Sequence, residues 1–236
     1  MITNIRLMLA SVISGLFLTI TIPAYATDST CFGTVSNGHL DSGVQLPRSG
    51  SNFSAYSTLG ATLGRNYVHS KVAKIISNAY QSLQNEKPNK VFVYGETGWA
   101  KGGRIRPHKT HRNGLSVDFM VPVIDATGRS VPLPRSITNK FGYEIDFDQN
   151  AKFEGYSIDF ESIAEHLYQL DKAAKAAGYG IALVIFDPPY LPELLATQKG
   201  GYLKSNIKFM KGKAWIRHDE HYHVDFAIPC EPLKSS

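Results

Sequence analysis

The sequence predicts an α+β fold: a small central antiparallel sheet flanked by helices and long loops. Two stretches, 67–84 and 160–177, repeat apolar residues at helical spacing. Short apolar or alternating runs at 91–94, 115–119, 181–186 and 222–226 have strand character. Helices and strands do not alternate regularly, which argues against a parallel sheet with helical crossovers.

The N-terminus is read as an export signal. Arg6 is followed by an almost wholly apolar run from Leu7 to Ile22, then Pro23 and Ala24-Tyr25-Ala26, a small-x-small cleavage pattern. Cleavage is expected after Ala26, giving a signal peptide at 1–26 and one domain at 27–236. The alternative is a retained membrane anchor, since the apolar run approaches spanning length. Asp28-Ser29-Thr30 before Cys31 excludes a lipid attachment site there. Removing Arg6 leaves a formal charge of about +4 of the original +5. In an exported protein this excess points away from nucleic acid and towards anionic envelope polymers, or simply to solubility. Cys31 and Cys230 are the only cysteines. In an oxidising compartment such a pair reads as a disulfide, the alternative being two free thiols. A bridge closing so long a loop contributes up to roughly 5 kcal/mol in the chain-entropy model.

Residues 28–66 are rich in Ser, Gly, Asn and Thr and are expected to be irregular. In 67–84, Val68, Val72, Ile75, Ile76, Ala79 and Leu83 form one apolar face. Residues 91–94 read as a buried strand, 95–107 as a Gly-rich basic loop, and 115–119 as a strand. The long Pro-bearing stretch 121–157 is either a wall beside a substrate or a small satellite unit. Asp159 is placed as the cap of the helix at 160–177, with Ile163, Leu167, Leu170 and Ala174 on its core face and Gly178 as its stop. His166 on that helix is expected at the surface or half-buried. Residues 181–186 read as a buried strand, 191–198 as a short helix, and 222–226 as the last strand.

Of eight histidines, five fall in two short windows, which packing does not explain. One window runs His108-x-x-His111-x6-Asp118; the other is His218-Asp219-Glu220-His221-Tyr222-His223. Residues two apart on a strand share a face, so His221 and His223 present two imidazoles side by side. His111, before the Asn113-Gly114 turn, and Asp118, on the following strand, can fold back to one point. Two imidazoles and a carboxylate are a zinc donor set that leaves room for water. On the residues alone, the third ligand is one histidine of the H-x-H pair, and the other is free for proton transfer. Glu220 is expected to face away from His221, as adjacent strand residues do. Arg104 or Arg106 offers a bidentate contact for a substrate carboxylate. Trp215 is assigned to the core or the cleft wall.

Gly102-Gly103, the two histidine windows and Trp215-Ile216-Arg217 together resemble the penicillin-insensitive murein endopeptidases, within the wider group of lysostaphin, D-Ala-D-Ala peptidase and hedgehog-like zinc folds. The likeness extends more weakly through Leu46-Pro47 and Tyr67-Val68-His69. It implies one zinc ion per chain held by His111, Asp118 and His223, with His221 catalytic and His218 and His108 near the metal. Lys101, Arg104 and Arg106 depart from the usual loop. The resemblance implies a periplasmic hydrolase cutting D-alanyl-diaminopimelyl or diaminopimelyl-diaminopimelyl cross-links of peptidoglycan. A carboxypeptidase or dipeptidase on stem peptides and a non-catalytic wall-binding module are the alternatives. Both general wall remodelling and opening the wall for a machine such as a type VI secretion system stand as roles.

Overall fold

The computed structural model describes residues 28–212, 214 and 217–233; the expected export segment and Trp215 lie outside them. The stretch 28–66 is not irregular. It contains a hairpin, β1 (Thr30–Thr34) and β2 (Asn37–Asp41), then β3 (Val44–Gln45), β4 (Phe53–Ala55) and the short helix α1 (Thr58–Thr62). These strands have two to five residues, too short for a two-residue period to stand out. β5 (Tyr67–Val68) pairs with β3, so the predicted helix starts later, as α2 (Ser70–Glu86). His69 caps it, its Nδ1 accepting from the Lys71 N–H at 3.1 Å. Val72, Ile75, Ile76, Ala79, Tyr80 and Leu83 are buried on one face.

After β6 (Phe92–Tyr94) and β7 (Ser116–Met120), the stretch 121–157 proves to be structured. β8 (Val123–Ile124), β9 (Ser130–Val131), β10 (Lys152–Phe153) and β11 (Tyr156–Ile158) form a second sheet in the order β10-β11-β8-β9. A 3-10 turn at Ile137–Gly142 leans back towards β7. The satellite unit and the wall are therefore the same segment. α3 (Phe160–Ala176) follows, with Asp159 accepting from the Ser162 N–H as expected. β12 (Ile181–Ile185) is an edge strand and is buried only towards its end, not throughout as predicted. α4 (Leu191–Leu195) and α5 (Gly200–Asn206) lead to β13 (His221–Phe226).

The central sheet runs β12-β13-β7-β6-β4 and is antiparallel except where β4 joins β6. The α+β class predicted from sequence is the observed one. Every residue of β7 and β13 is buried, because both faces of the sheet are covered. On one face Phe119 and Tyr222 meet His166 of α3 and, beyond it, Tyr80 of α2. His166 is fully buried, contrary to expectation. On the other face Asp118, His221 and His223 lie under the loop 95–114 and the 3-10 turn. The expected Cys31–Cys230 disulfide is present, and backbone hydrogen bonds between Gly33 and Glu231 and between Glu231 and Cys31 extend the join. Among the described residues, no helix is long and apolar enough to cross a membrane.

Candidate active site

Asp118 is the centre. It is fully buried on β7, and its cross-strand partner on β13 is His223. Four imidazoles converge on its carboxylate. His223 Nδ1 lies 2.9 Å and His111 Nε2 3.2 Å from Oδ1. His108 Nδ1 lies 3.7 Å and His221 Nε2 3.8 Å from Oδ2. Tyr143 Oη donates to Oδ2 at 3.1 Å and accepts from the Glu96 N–H at 2.7 Å. A Cβ on Gly95 would come within 2.5 Å of that hydroxyl and 2.9 Å of the Asp118 Cβ, so only glycine admits this approach.

Each converging imidazole is held from behind through its other nitrogen. His111 Nδ1 donates to the Thr97 carbonyl at 2.9 Å. His223 Nε2 is 2.8 Å from Asp225, which also accepts from Ser116 Oγ at 2.6 Å. His108 Nε2 is 2.6 Å from Glu96, and His221 Nδ1 is 2.7 Å from Glu220. Such outer partners fix the orientation and basicity of metal-binding histidines. His111 also sits at φ 66°, a left-handed backbone that costs a non-glycine residue about 1–2 kcal/mol. The turn at Gly114 (φ 77°) cannot take a side chain, because a Cβ would meet the His69 backbone nitrogen at 2.8 Å.

The His111 bond to a carbonyl decides its tautomer. Nδ1 carries the proton, so Nε2 presents a lone pair. Burial favours the neutral ring by pushing its pKa down. That lone pair has no hydrogen-bond partner and faces a carboxylate oxygen, acceptor against acceptor. A cation between them resolves the conflict. Ligand atoms of His108, His111 and Asp118 all lie within 4.8 Å of one another, so these three can hold a metal ion. His223 is outside that trio, yet its Nδ1 shares Asp118 Oδ1 with His111 Nε2.

The remaining expected residues fall unevenly. His218 is buried with its ring 4.6 Å from that of His221. Arg104 and Arg106 are exposed and neither lines the cleft, so the structure does not bring them to the site. Arg65 and Arg217 line it instead. Glu220 does not face away from His221. It precedes β13, where the strand's alternation does not hold, and its side chain turns back onto the ring.

Several participants were missed. Glu96 is nine-tenths buried and accepts from Tyr56 Oη at 2.7 Å, from Arg65 and from His108. Burial alone would raise its pKa, but His108, Arg65 and Tyr56 together hold it down to about 2. Nothing in a lone acid within a Gly-rich loop signals this. Asp225 was readable: it is two residues beyond His223 on the same strand face. Burial and the adjacent Asp219 push Glu220 well above the usual carboxylate range, and burial pushes His221 down to about 4.

The cleft over these residues has a volume of about 670 Å³ and is walled by Tyr56, Leu59, Phe141 and Tyr143. A family model for the penicillin-insensitive murein endopeptidases matches residues 31–234. The chain belongs to this family. Comparison with curated proteins gave no match. As a murein endopeptidase the chain acts on peptidoglycan.

Proposed function

We propose that this murein endopeptidase is zinc-dependent, is exported to the periplasm by its N-terminal signal, and cuts D-alanyl-diaminopimelyl or diaminopimelyl-diaminopimelyl cross-links during wall remodelling. The observation that carries the zinc assignment is the buried, partnerless His111 Nε2 sharing Asp118 Oδ1 with His223 Nδ1. Two nitrogens and one carboxylate oxygen suit zinc and leave a position for water. His111, Asp118 and His223 are assigned as ligands in preference to the trio containing His108. His108 approaches the other oxygen, 3.7 Å away, and its side chain is 15% exposed against 0% and 2% for His111 and His223.

A zinc ion held there supplies Lewis acidity towards a scissile carbonyl and a water of lowered pKa. The protein's own groups do the rest. His221 is the proton carrier: with Nδ1 tied to Glu220, its Nε2 faces the cleft beside Asp118. Tyr143 steadies the Asp118 oxygen that the ligand histidines do not use. His108, tied to the Glu96–Arg65 pair, and His218, beside His221, are placed to meet the substrate around the reacting bond.

Digestion of purified sacculi tests this. Zinc-loaded wild type removes cross-linked dimers without releasing terminal alanine, a chelator stops it, and penicillin does not, because no acyl-enzyme forms. His223→Ala leaves the dimers intact. Equal digestion by His223→Ala would overturn the metal assignment, and alanine release without dimer loss would make the protein a carboxypeptidase.

A further inference from the structure

A second cleft of about 590 Å³ adjoins the first and shares Tyr56, Ser57, Leu59 and Phe141 with it. The two clefts differ in charge. In the first, Arg65 is paired with Glu96, Arg217 with Asp219 and Lys140 with Glu144, so its cations are neutralised internally. The second is lined by Arg48 and Arg135 and by no acidic side chain. Among the described residues neither arginine has a carboxylate at ion-pair distance.

Arg135 is the informative one. It is half-buried, and its guanidinium donates to the Ala55 carbonyl at 2.7 Å and to Ser54 Oγ at 3.4 Å, both neutral acceptors. Burial alone lowers its pKa, with no acid to oppose it. Withdrawing a guanidinium from water without a counter-charge costs free energy that a bound carboxylate would offset, through bidentate charge-assisted hydrogen bonds. Leu59 and Ile137 beside it are 57% and 79% exposed, which leaves apolar surface for an aliphatic chain.

We propose that the Arg48–Arg135 cleft is a distal subsite that takes a free carboxylate of the same branched peptide whose amide lies at the Asp118 centre. The shared lining is the ground for one molecule: Tyr56 and Phe141, packed edge-to-face, border both clefts, so a peptide lying across this pair has a part in each. Peptidoglycan stem peptides carry such carboxylates, so the proposal rests on the peptidoglycan reading for the identity of the peptide.

Binding of an uncross-linked disaccharide tetrapeptide to the zinc-loaded full chain tests it, by calorimetry, with carboxylates free or amidated. Wild type is expected to bind the free acid about tenfold tighter than the amide, the worth of one charge-assisted hydrogen bond at a half-exposed site. Arg135→Gln and Arg48→Gln should each lose most of that preference, and the double variant all of it. Arg48 is exposed, so its variant keeps the test valid if Arg135→Gln fails to fold. Equal binding of both peptides by wild type, or an unchanged preference in Arg48→Gln, overturns the subsite. Turnover of cross-linked dimers is measured in parallel. Arginine-dependent binding with no dimer cleavage would leave the subsite standing and bring down the endopeptidase reading; dimer cleavage with no arginine dependence would do the reverse.

Discussion

The two faces of one strand pair hold two kinds of buried histidine. β7 and β13 carry Asp118, His221 and His223 on one face and Phe119 and Tyr222 on the other, where His166 packs. His111 and His166 are both fully buried, and each has an Nε2 without a hydrogen-bond partner. Only one of them marks a site. The His166 ring stacks on Tyr80 at 5.3 Å and lies edge-on to Phe119 at 4.7 Å, and its Nδ1 is bonded to the Tyr222 hydroxyl. No carboxylate offsets burial there, and its pKa falls to about 3. The ring is a neutral packing element. His111 instead aims its lone pair at an anion that three other imidazoles also approach. Burial and an orphaned nitrogen are common to both; convergence on a shared charge is what separates chemistry from packing.

Three substitutions probe that division, the largest effect first. His221→Ala should lower turnover of cross-linked muropeptides by about 10²–10⁴-fold, as expected for a lost proton carrier, while the metal content of the purified protein stays at the wild-type level. Loss of the metal together with activity would make His221 a ligand instead. Glu220→Gln should cost about tenfold, typical of an outer partner that orients a working histidine, and should shift the pH–rate profile. An unshifted profile with an equal fall at every pH would reduce Glu220 to a structural role.

His166→Phe is expected to change turnover by no more than about twofold, since the ring lies on the far face of the sheet. Its signature is in stability. The folded-state pKa is depressed from about 6.5 to about 3, so the unfolded chain binds the proton more readily. The stability this contributes is complete above pH 6.5 and is lost as pH falls towards 3. Urea midpoints measured between pH 7.5 and 4.5 should therefore fall more steeply for wild type than for His166→Phe. Parallel slopes would show that His166 is not buried neutral.

Much of this was legible. The spacing of Val72, Ile75, Ile76, Ala79 and Leu83 marked α2, and Asp159 marked the start of α3, because long amphipathic elements repeat their signal. The two histidine windows gave the residues that meet at Asp118, since ligand types at strand spacing are informative by themselves. The strands within 28–66 and 121–157 were not legible: two or three residues held by long-range pairing carry no period. His166 was misplaced although the signal was available. It lies three residues after Ile163 and four before Leu170, on the buried stripe, and only its polarity argued otherwise. Glu220 was misjudged because strand alternation was applied one residue too early. Glu96 and Tyr143 reach the site from distant loops, and no local pattern records where a loop ends up.

β13 bears His221 and His223 and is hydrogen-bonded along both edges, to β12 and to β7, while the chain just beyond it is tied to β1 by Cys230. Such a strand has no fraying edge. Its amides are expected to be among the slowest in the domain to exchange with solvent, with the H-x-H segment inside the most protected unit. The satellite segment is fastened to this unit, since its Tyr143 bonds Asp118 and its Phe147 N–H bonds Asp219. Heat is therefore expected to remove activity together with the fold, which activity and circular dichroism followed over one temperature ramp would check.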